Sequence, residues 1–188
     1  FTPMYIADYC DNFCVYCGFN HNNNINRRCL TMDEIAKEAE NIAQTGLKNI
    51  LVLTGESIKY SPVDYILEAV KVLRKYFDSV SIEVYSFSQE DYVRAVEAGV
   101  DGMTMFQECY NKDIYRTLHP GGPKANYEYR LDAPERACKA GLRNVNVGAL
   151  LGLNEWREEA FFTGVHADYL QHKYKDVEIA VSTPSMRP

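Results

Sequence analysis

No stretch of this sequence approaches the roughly 18 consecutive apolar residues that a membrane span requires. The N-terminus, FTPMYIADY, lacks a basic segment followed by an apolar one, so no signal peptide is expected. Clustered positive charge is missing too. The 20 Lys and Arg residues are dispersed among 26 Asp and Glu, for a net charge of −6. INRRC at 25–29 is too short for a nucleic-acid footprint. No nucleic-acid partner and no membrane are therefore expected. Six cysteines could form three disulfides, but 188 residues with 46% hydrophobic content build a core without such staples. Three of them crowd into one loop, where bridges between neighbours would be awkward. The expectation is a reducing, cytoplasmic setting with thiols free for metal. The chain opens on Phe1 rather than Met and ends in TPSMRP. Residues 1–188 are thus expected to form one core domain of a longer protein, without its N- and C-terminal extensions.

What is present is alternation. PMYIAD reads as a strand running straight into the cysteine loop. TMDEIAKEAENIAQTG then places Ile35, Ala39, Ile42 and Ala43 on one helical face, with Thr31 and Glu34 as a capping box and Gly46 as a stop. NILVLTGE is a short strand ending in glycine and a carboxylate. Ser61 before Pro62 signals a helix whose stripe is Val63, Ile66, Leu67, Val70 and Leu73. SVSIEVY is a strand, Ser88 and Asp91 cap the helix QEDYVRAVEAG, and GMTMFQE is a strand ending at Glu108. A polar loop at His119–Lys124 leads to a helix over about 127–140, with Pro134 kinking it or resetting its first turn. NVNVGALLGL, WREEAFFTGVHADYLQHKY and VEIAVSTP complete a strand–helix–strand series. Six strands separated by five helices, with strands apolar enough for burial on both faces, predict a parallel α/β sheet, open or curled into a partial barrel. The loops after the strands share one rim, where such folds build their sites. The cysteine loop, Glu56, Glu108 and Ser182–Arg187 all fall there.

CDNFCVYCGF holds three thiols, Cys10, Cys14 and Cys17. A structural zinc site needs a fourth ligand, for which His21, Cys29, Cys109 and Cys138 are the candidates. Cys14 and Cys17 also form a C-x-x-C pair, but a thioredoxin-like site has no third cysteine upstream. A [4Fe–4S] cluster fits better: three thiolates leave one iron open to an outside ligand. Tyr16 and Phe19 are placed to shield it, and Gly18 lets backbone approach closely. Glu56 reads either as a ligand-orienting carboxylate or as a solvated residue in a strand-end turn. Glu108 and Arg130 read either as a carboxylate and guanidinium gripping a zwitterion or as a surface ion pair. Gly148 and Gly152 admit a flat ring or simply close packing. Cys29 and Cys138 read as packed thiols, and Cys109 as a thiol at the rim.

Cys10-x-x-x-Cys14-x-x-Cys17 after the first strand, with Tyr16 before the last cysteine, resembles the signature of the radical S-adenosylmethionine (SAM) enzymes. The resemblance implies a (β/α)6 partial TIM barrel, a [4Fe–4S] cluster on the three cysteines and SAM on the open iron. Reduction then yields methionine and a 5′-deoxyadenosyl radical. It further implies cofactor-binding roles for Tyr16, Gly55, Glu56, Glu108, Arg130, Gly148 and Gly152. LTGES resembles the family's Gly-Gly-Glu motif with Thr54 in place of the first glycine, and Glu56 would orient the methionine amino group.

Across nearly the whole chain, YCDNFCVYCGF, VLTGES, FQECYN, YEYRLDAPERACKAGLRNVNVGALLGLNEWR and STPSMRP are similar in order and spacing to the tyrosine lyases of this superfamily. These serve thiamine biosynthesis or hydrogenase maturation by cleaving the Cα–Cβ bond of tyrosine. VLTGE and LNEWR resemble the thiamine branch, whose products are 2-iminoacetate and p-cresol. ECYNKDIYRTLHPGGPK looks as much like the maturation branch, which makes carbon monoxide and cyanide. The resemblance implies L-tyrosine held by Arg187 with Ser182 nearby, an electron donor such as flavodoxin or ferredoxin, and a thiazole synthase partner. One departure stands out. PSMRP carries Ser185 where these relatives have the first Arg of Pro-Arg-x-Arg-Pro, which leaves room for a different amino acid. The competing reading from another class is a non-catalytic iron–sulfur or zinc module.

Overall fold

A computed structural model describes residues 1–186; Arg187 and Pro188 lie outside the described residues. Six strands run in the order β1 to β6: Thr2–Ala7, Asn49–Thr54, Ser79–Glu83, Gly102–Glu108, Asn144–Ala149 and Glu178–Ser182. Every neighbouring pair is parallel. Strands in sequence order, β1 to β5 each followed by helix, curl into the partial barrel expected; among the described residues no helix follows β6, and β6 does not pair with β1.

The helices α1 to α7 are Met32–Ala43, Val63–Leu73, Gln89–Ala98, Lys112–Leu118, Tyr127–Leu131, Ala133–Ala140 and Trp156–Lys173. Local chemistry sets their ends. The Thr31 hydroxyl accepts from the Glu34 amide at 3.2 Å, and the Glu34 carboxylate accepts from the Thr31 amide at 2.8 Å. Ser88 caps α3, which ends at Gly99 with φ 101°. Two expectations need correction. Ser61 does not cap α2: its hydroxyl donates to the Ser57 carbonyl at 3.0 Å, and Pro62 precedes the helix without a side-chain bond. The helix expected over 127–140 is two, broken at Asp132, because Pro134 has no amide to continue the ladder and so sits in a first turn. One helix escaped sequence reading. α4 buries only Tyr115, so it has no apolar stripe to see; Asn111 caps it through the amides of Asp113 and Ile114.

The core lies between the sheet's outer face and the helices. Ile6, Val52, Ile82, Met105 and Val147 pack there with Ile35, Ile66, Leu73, Ala137 and Leu170. The inner face differs from the expectation of burial on both sides. Tyr5, Ser81, Glu83, Thr104, Asn146 and Ser182 occupy alternate positions from the core residues and so face the lumen, most of them only half-buried. Asn146 donates to the Ser182 hydroxyl at 2.9 Å and to the Thr104 hydroxyl at 3.4 Å.

Gly148 pairs with Phe106 on one side and Ser182 on the other. A Cβ there would lie 2.1 Å from the Ser182 carbonyl oxygen and 2.9 Å from the Phe106 ring. Close packing within the sheet by itself requires a glycine here. Gly148→Ala is expected to lower stability by about 1–3 kcal/mol through overpacking, read as a lower urea midpoint with an unchanged slope.

Candidate active site

The loop joining β1 to α1 carries Cys10, Cys14 and Cys17. Backbone bonds stitch it to the barrel rim: the Asp11 amide to the Glu56 carbonyl at 2.9 Å, Phe13 to Gly121 at 3.2 Å and Val15 to Leu118 at 3.1 Å. Arg27 ties the loop's base through the carbonyls of Asp8, Phe19 and Asn20. All six cysteines are free thiols; Cys14 is buried, and Cys10 and Cys17 are partly open. None of the four candidates for a fourth zinc ligand joins them. His21 bonds the Cys10 carbonyl, Cys29 the Tyr60 carbonyl, Cys138 is buried in α6, and Cys109 lies against Glu159.

Among the described residues no three His, Cys, Asp or Glu side chains gather as ligands of one ion. A lone zinc would need four donors about 2.3 Å from a single point. A [4Fe–4S] cluster takes each thiolate on a different iron, so its thiols stand apart. Three thiols on one loop are a donor set that such a cluster takes. Burial pushes the Cys14 thiol up to about 11 against the pull of Lys124, so iron would displace a proton there.

Beneath the loop lies a buried charge network. Glu56 follows β2, and Gly55 before it is obligatory, because a Cβ would lie 2.2 Å from the Tyr9 carbonyl oxygen. Arg130 of α5 donates to Glu56 Oε1 at 2.7 Å and to the Phe106 carbonyl at 2.8 Å, and lies 3.5 Å from Glu108. Lys124 donates to Glu108 at 2.6 Å. Asn12, 1% exposed, joins network to loop: its amide nitrogen donates to Glu56 Oε2 at 2.8 Å and lies 3.6 Å from Cys10 Sγ. Its oxygen accepts from the Lys124 amide at 2.8 Å. Burial alone would raise the Glu56 carboxyl, but Arg130, Lys124 and the Asn12 bond outweigh it and hold it below the usual range. Burial works against the Lys124 and Arg130 charges too, yet Glu108 and Glu56 leave both cations more firmly protonated than usual. A cavity of about 130 Å³ opens beside the network, with Glu56, Lys124 and Arg130 facing Ile58, Tyr85 and Tyr129.

Among the described residues Glu108 is the only non-glycine with positive φ, at 69°, where the β4–β5 register shifts. Such a conformation persists only when its surroundings impose it. Glu159 of α7, fully buried, does so. It accepts from the Tyr110 amide at 2.6 Å, the Asn111 amide at 3.4 Å, Asn154 at 2.8 Å and the Cys109 thiol at 3.2 Å. Cys109 is therefore no accessible rim thiol: burial, then the Glu159 bond, push it up to about 12.

Tyr16 is held by His119, which is 2% exposed. Burial and then Lys124 push this imidazole down to about 4, so it is neutral at pH 7. Its Nδ1 faces the Tyr115 carbonyl at 2.9 Å and must carry the proton, so Nε2 accepts from the Tyr16 hydroxyl at 2.9 Å.

Of the residues singled out from sequence, Tyr16, Gly55, Glu56, Glu108 and Arg130 come together around the cysteine loop. Gly152, φ 106°, forms the turn after β5 with Met186 against it, and Ser182 sits lower, in the lumen. Ser185 bridges Leu151 through backbone, extending the sheet beyond β6. Arg187 lies outside the described residues. Sequence reasoning missed Asn12, Lys124, His119 and Glu159. Asn12 had a signal, its place inside the thiol loop; the others had none, because only folding brings them near.

Residues 4–163 match the family model of the radical SAM superfamily. The whole chain is 34% identical to 2-iminoacetate synthase of Salmonella typhimurium, of which it spans 50%. It is 30% identical over 78% of its length to the [FeFe] hydrogenase maturase subunit HydE of Thermotoga maritima, covering 41% of that protein. The fold superposes on the FeFe-hydrogenase maturase HydG from Carboxydothermus hydrogenoformans with TM-score 0.94 and 32% identity, over 100% of this chain and 44% of the other. The chain spans about half the length of the curated relatives it matches most fully.

Arg130→Met leaves two buried carboxylates facing Lys124 alone, and stability is expected to fall by about 3–5 kcal/mol; adding Glu56→Gln should restore part of it in the same denaturation assay. The depressed His119 value means that, between pH 6.5 and about 4, the unfolded chain binds a proton the folded chain refuses. The stability this contributes is complete above pH 6.5 and is lost as pH falls through that window. His119→Gln should flatten the melting-temperature profile there.

Proposed function

The chain belongs to the radical SAM superfamily, and from that premise we propose that it cleaves the Cα–Cβ bond of L-tyrosine to 2-iminoacetate and p-cresol, the chemistry that supplies thiamine thiazole. The observation that carries this reading is similarity to 2-iminoacetate synthase along the entire chain, site loops included. Cys10, Cys14 and Cys17 would hold a [4Fe–4S] cluster. When bound, the cluster supplies the electron that splits SAM into methionine and a 5′-deoxyadenosyl radical.

The chain's own residues have definite tasks in this reading. Arg130 would turn its fork to the carboxylate of SAM, and Glu56 would take the amino group. A zwitterion inserted between Glu56 and Arg130 exchanges one buried ion pair for two, so the network stays neutral and no buried charge is stranded. Glu108 and Lys124 keep their bond and supply the remaining polar contacts. Tyr16, fixed by His119, covers the cysteine loop against water. Arg187 would bind the tyrosine carboxylate. Flavodoxin or ferredoxin would deliver the electron in a reducing cytoplasm, and a thiazole synthase would consume the imine. Likeness to the maturase HydG favours a second reading on the same substrate, with carbon monoxide and cyanide as end products.

The test is anaerobic reconstitution with iron and sulfide, then incubation with SAM, dithionite and L-tyrosine. Deoxyadenosine and p-cresol should form together and vanish in Cys14→Ala. Deoxyadenosine without p-cresol would keep the radical chemistry and reject tyrosine. Cyanide alongside p-cresol would select the second reading.

A further inference from the structure

Glu83 closes β3. Val80 and Ile82 on that strand are buried in the core, so Ser81 and Glu83 face the lumen. Register places Glu83 opposite Leu53, and Leu53 opposite Tyr5. On its other side Ile82 pairs with Met103, which sets Glu83 level with Thr104, and Thr104 pairs with Asn146. One tier thus circles the lumen: Tyr5, Leu53, Glu83, Thr104 and Asn146, with the Ser182 hydroxyl bonded to Asn146. A cavity of about 540 Å³ reaches this tier from below, touching Thr104, Asn146 and Ser182; Asp101, Arg143 and Glu178 also line it, and Glu83 stands beside it rather than in its wall. From above, the Tyr5 ring lies 5.5 Å from Phe19, two residues past Cys17, so the tier sits under the cysteine loop.

Glu83 takes part in no hydrogen bond or ion pair among the described residues, although both cations of the rim network are near enough to act on it. Those cations are engaged by Glu56 and Glu108. Burial, then the Glu108 charge, raise the Glu83 carboxyl to about 7, the sign of a carboxylate without its own counter-ion. The rest of the tier is neutral: a phenol, a hydroxyl, an amide and a second hydroxyl. At this tier the lumen presents hydrogen-bonding walls and one carboxylate without its own counter-ion, which suits a small molecule bearing a single cationic group.

We propose that this tier is the seat of an amino-acid substrate and that Glu83 pairs with its ammonium group. The inference rests on the reading above and deepens it, because it fixes the amino group, where hydrogen abstraction would begin, directly beneath the cysteine loop. Asn146 and Ser182 give the polar remainder of the ligand its hydrogen bonds.

The experiment is calorimetric titration of the purified protein with L-tyrosine, L-tryptophan and L-phenylalanine, each beside its des-amino acid, such as 3-(4-hydroxyphenyl)propanoate for tyrosine. The protein should bind at least one amino acid about tenfold or more tighter than its des-amino counterpart, as a charge-assisted bond predicts. Glu83→Gln should bring the two within about twofold, and Glu83→Asp should recover part of the preference. A preference that survives Glu83→Gln overturns the inference. So do equal losses for both ligands in both variants, since the residue would then shape the cavity without reading the amine, and so does failure to bind any of the three amino acids. Glu83-dependent binding of tryptophan or phenylalanine but not tyrosine would leave the inference standing and remove tyrosine from the proposed function.

Discussion

Arg130 is the residue on which the site depends. Its guanidinium reaches Glu56 after β2, the Phe106 carbonyl on β4 and the edge of Glu108, joining three elements through one planar fork. Lysine could not span them, having a point charge and no fixed donor geometry. Lys124 balances the second carboxylate, so two anions and two cations are buried together. Such a network adds little net stability over an apolar core, since desolvation offsets much of the attraction. What it supplies is arrangement: Asn12 reads both sides of it and passes the geometry to Cys10.

The position of Arg130 follows from details of the helices before β5. α5 is only five residues long and ends at Asp132, because Pro134 forces a new helix to begin. Lys124 is placed by the short 3₁₀ turn Pro123–Ala125, entered through Gly122 at φ 87°, where a Cβ would lie 2.5 Å from the Asp11 carbonyl oxygen. The turn presses on the cysteine loop and Arg130 reaches it through Glu56 and Asn12, so thiols and charges are positioned as one unit. Glu159 extends that logic to the far side, holding residues 109–111 so that Glu108 keeps its left-handed backbone.

The two faces of the sheet divide the work. The outer face is dry and carries the stability, with Ile6, Val52, Ile82 and Val147 against the helices. The inner face is polar and half-open, because a six-stranded barrel does not close over its lumen. An alternation that buries every second residue against helices hands the remaining residues to the lumen. Glu83 is there because of that two-residue period, just as Val80 and Ile82 are in the core because of it.

The thiol spacing, the alternation of strands and helices, and the carboxylates ending β2 and β4 were legible in the sequence. Each is a local pattern: periods of two and 3.6 residues, caps at helix ends, and three soft ligands within eight residues. These suffice for the fold class, the cysteine loop and the rim on which Glu56 and Glu108 stand. The partners of those groups were not legible. His119 lies 103 positions from the Tyr16 hydroxyl it orients, Asn12 lies 112 from the Lys124 amide, and Glu159 lies 50 from Cys109. No periodicity links residues so far apart, and their meeting is set by strand register and by the breaks between short helices. The sequence alone determined which chemistry the chain carries and at which strand ends. Only the tertiary structure decided which buried charges face one another, because a charge removed from water is defined by what lies within a few ångströms of it in space.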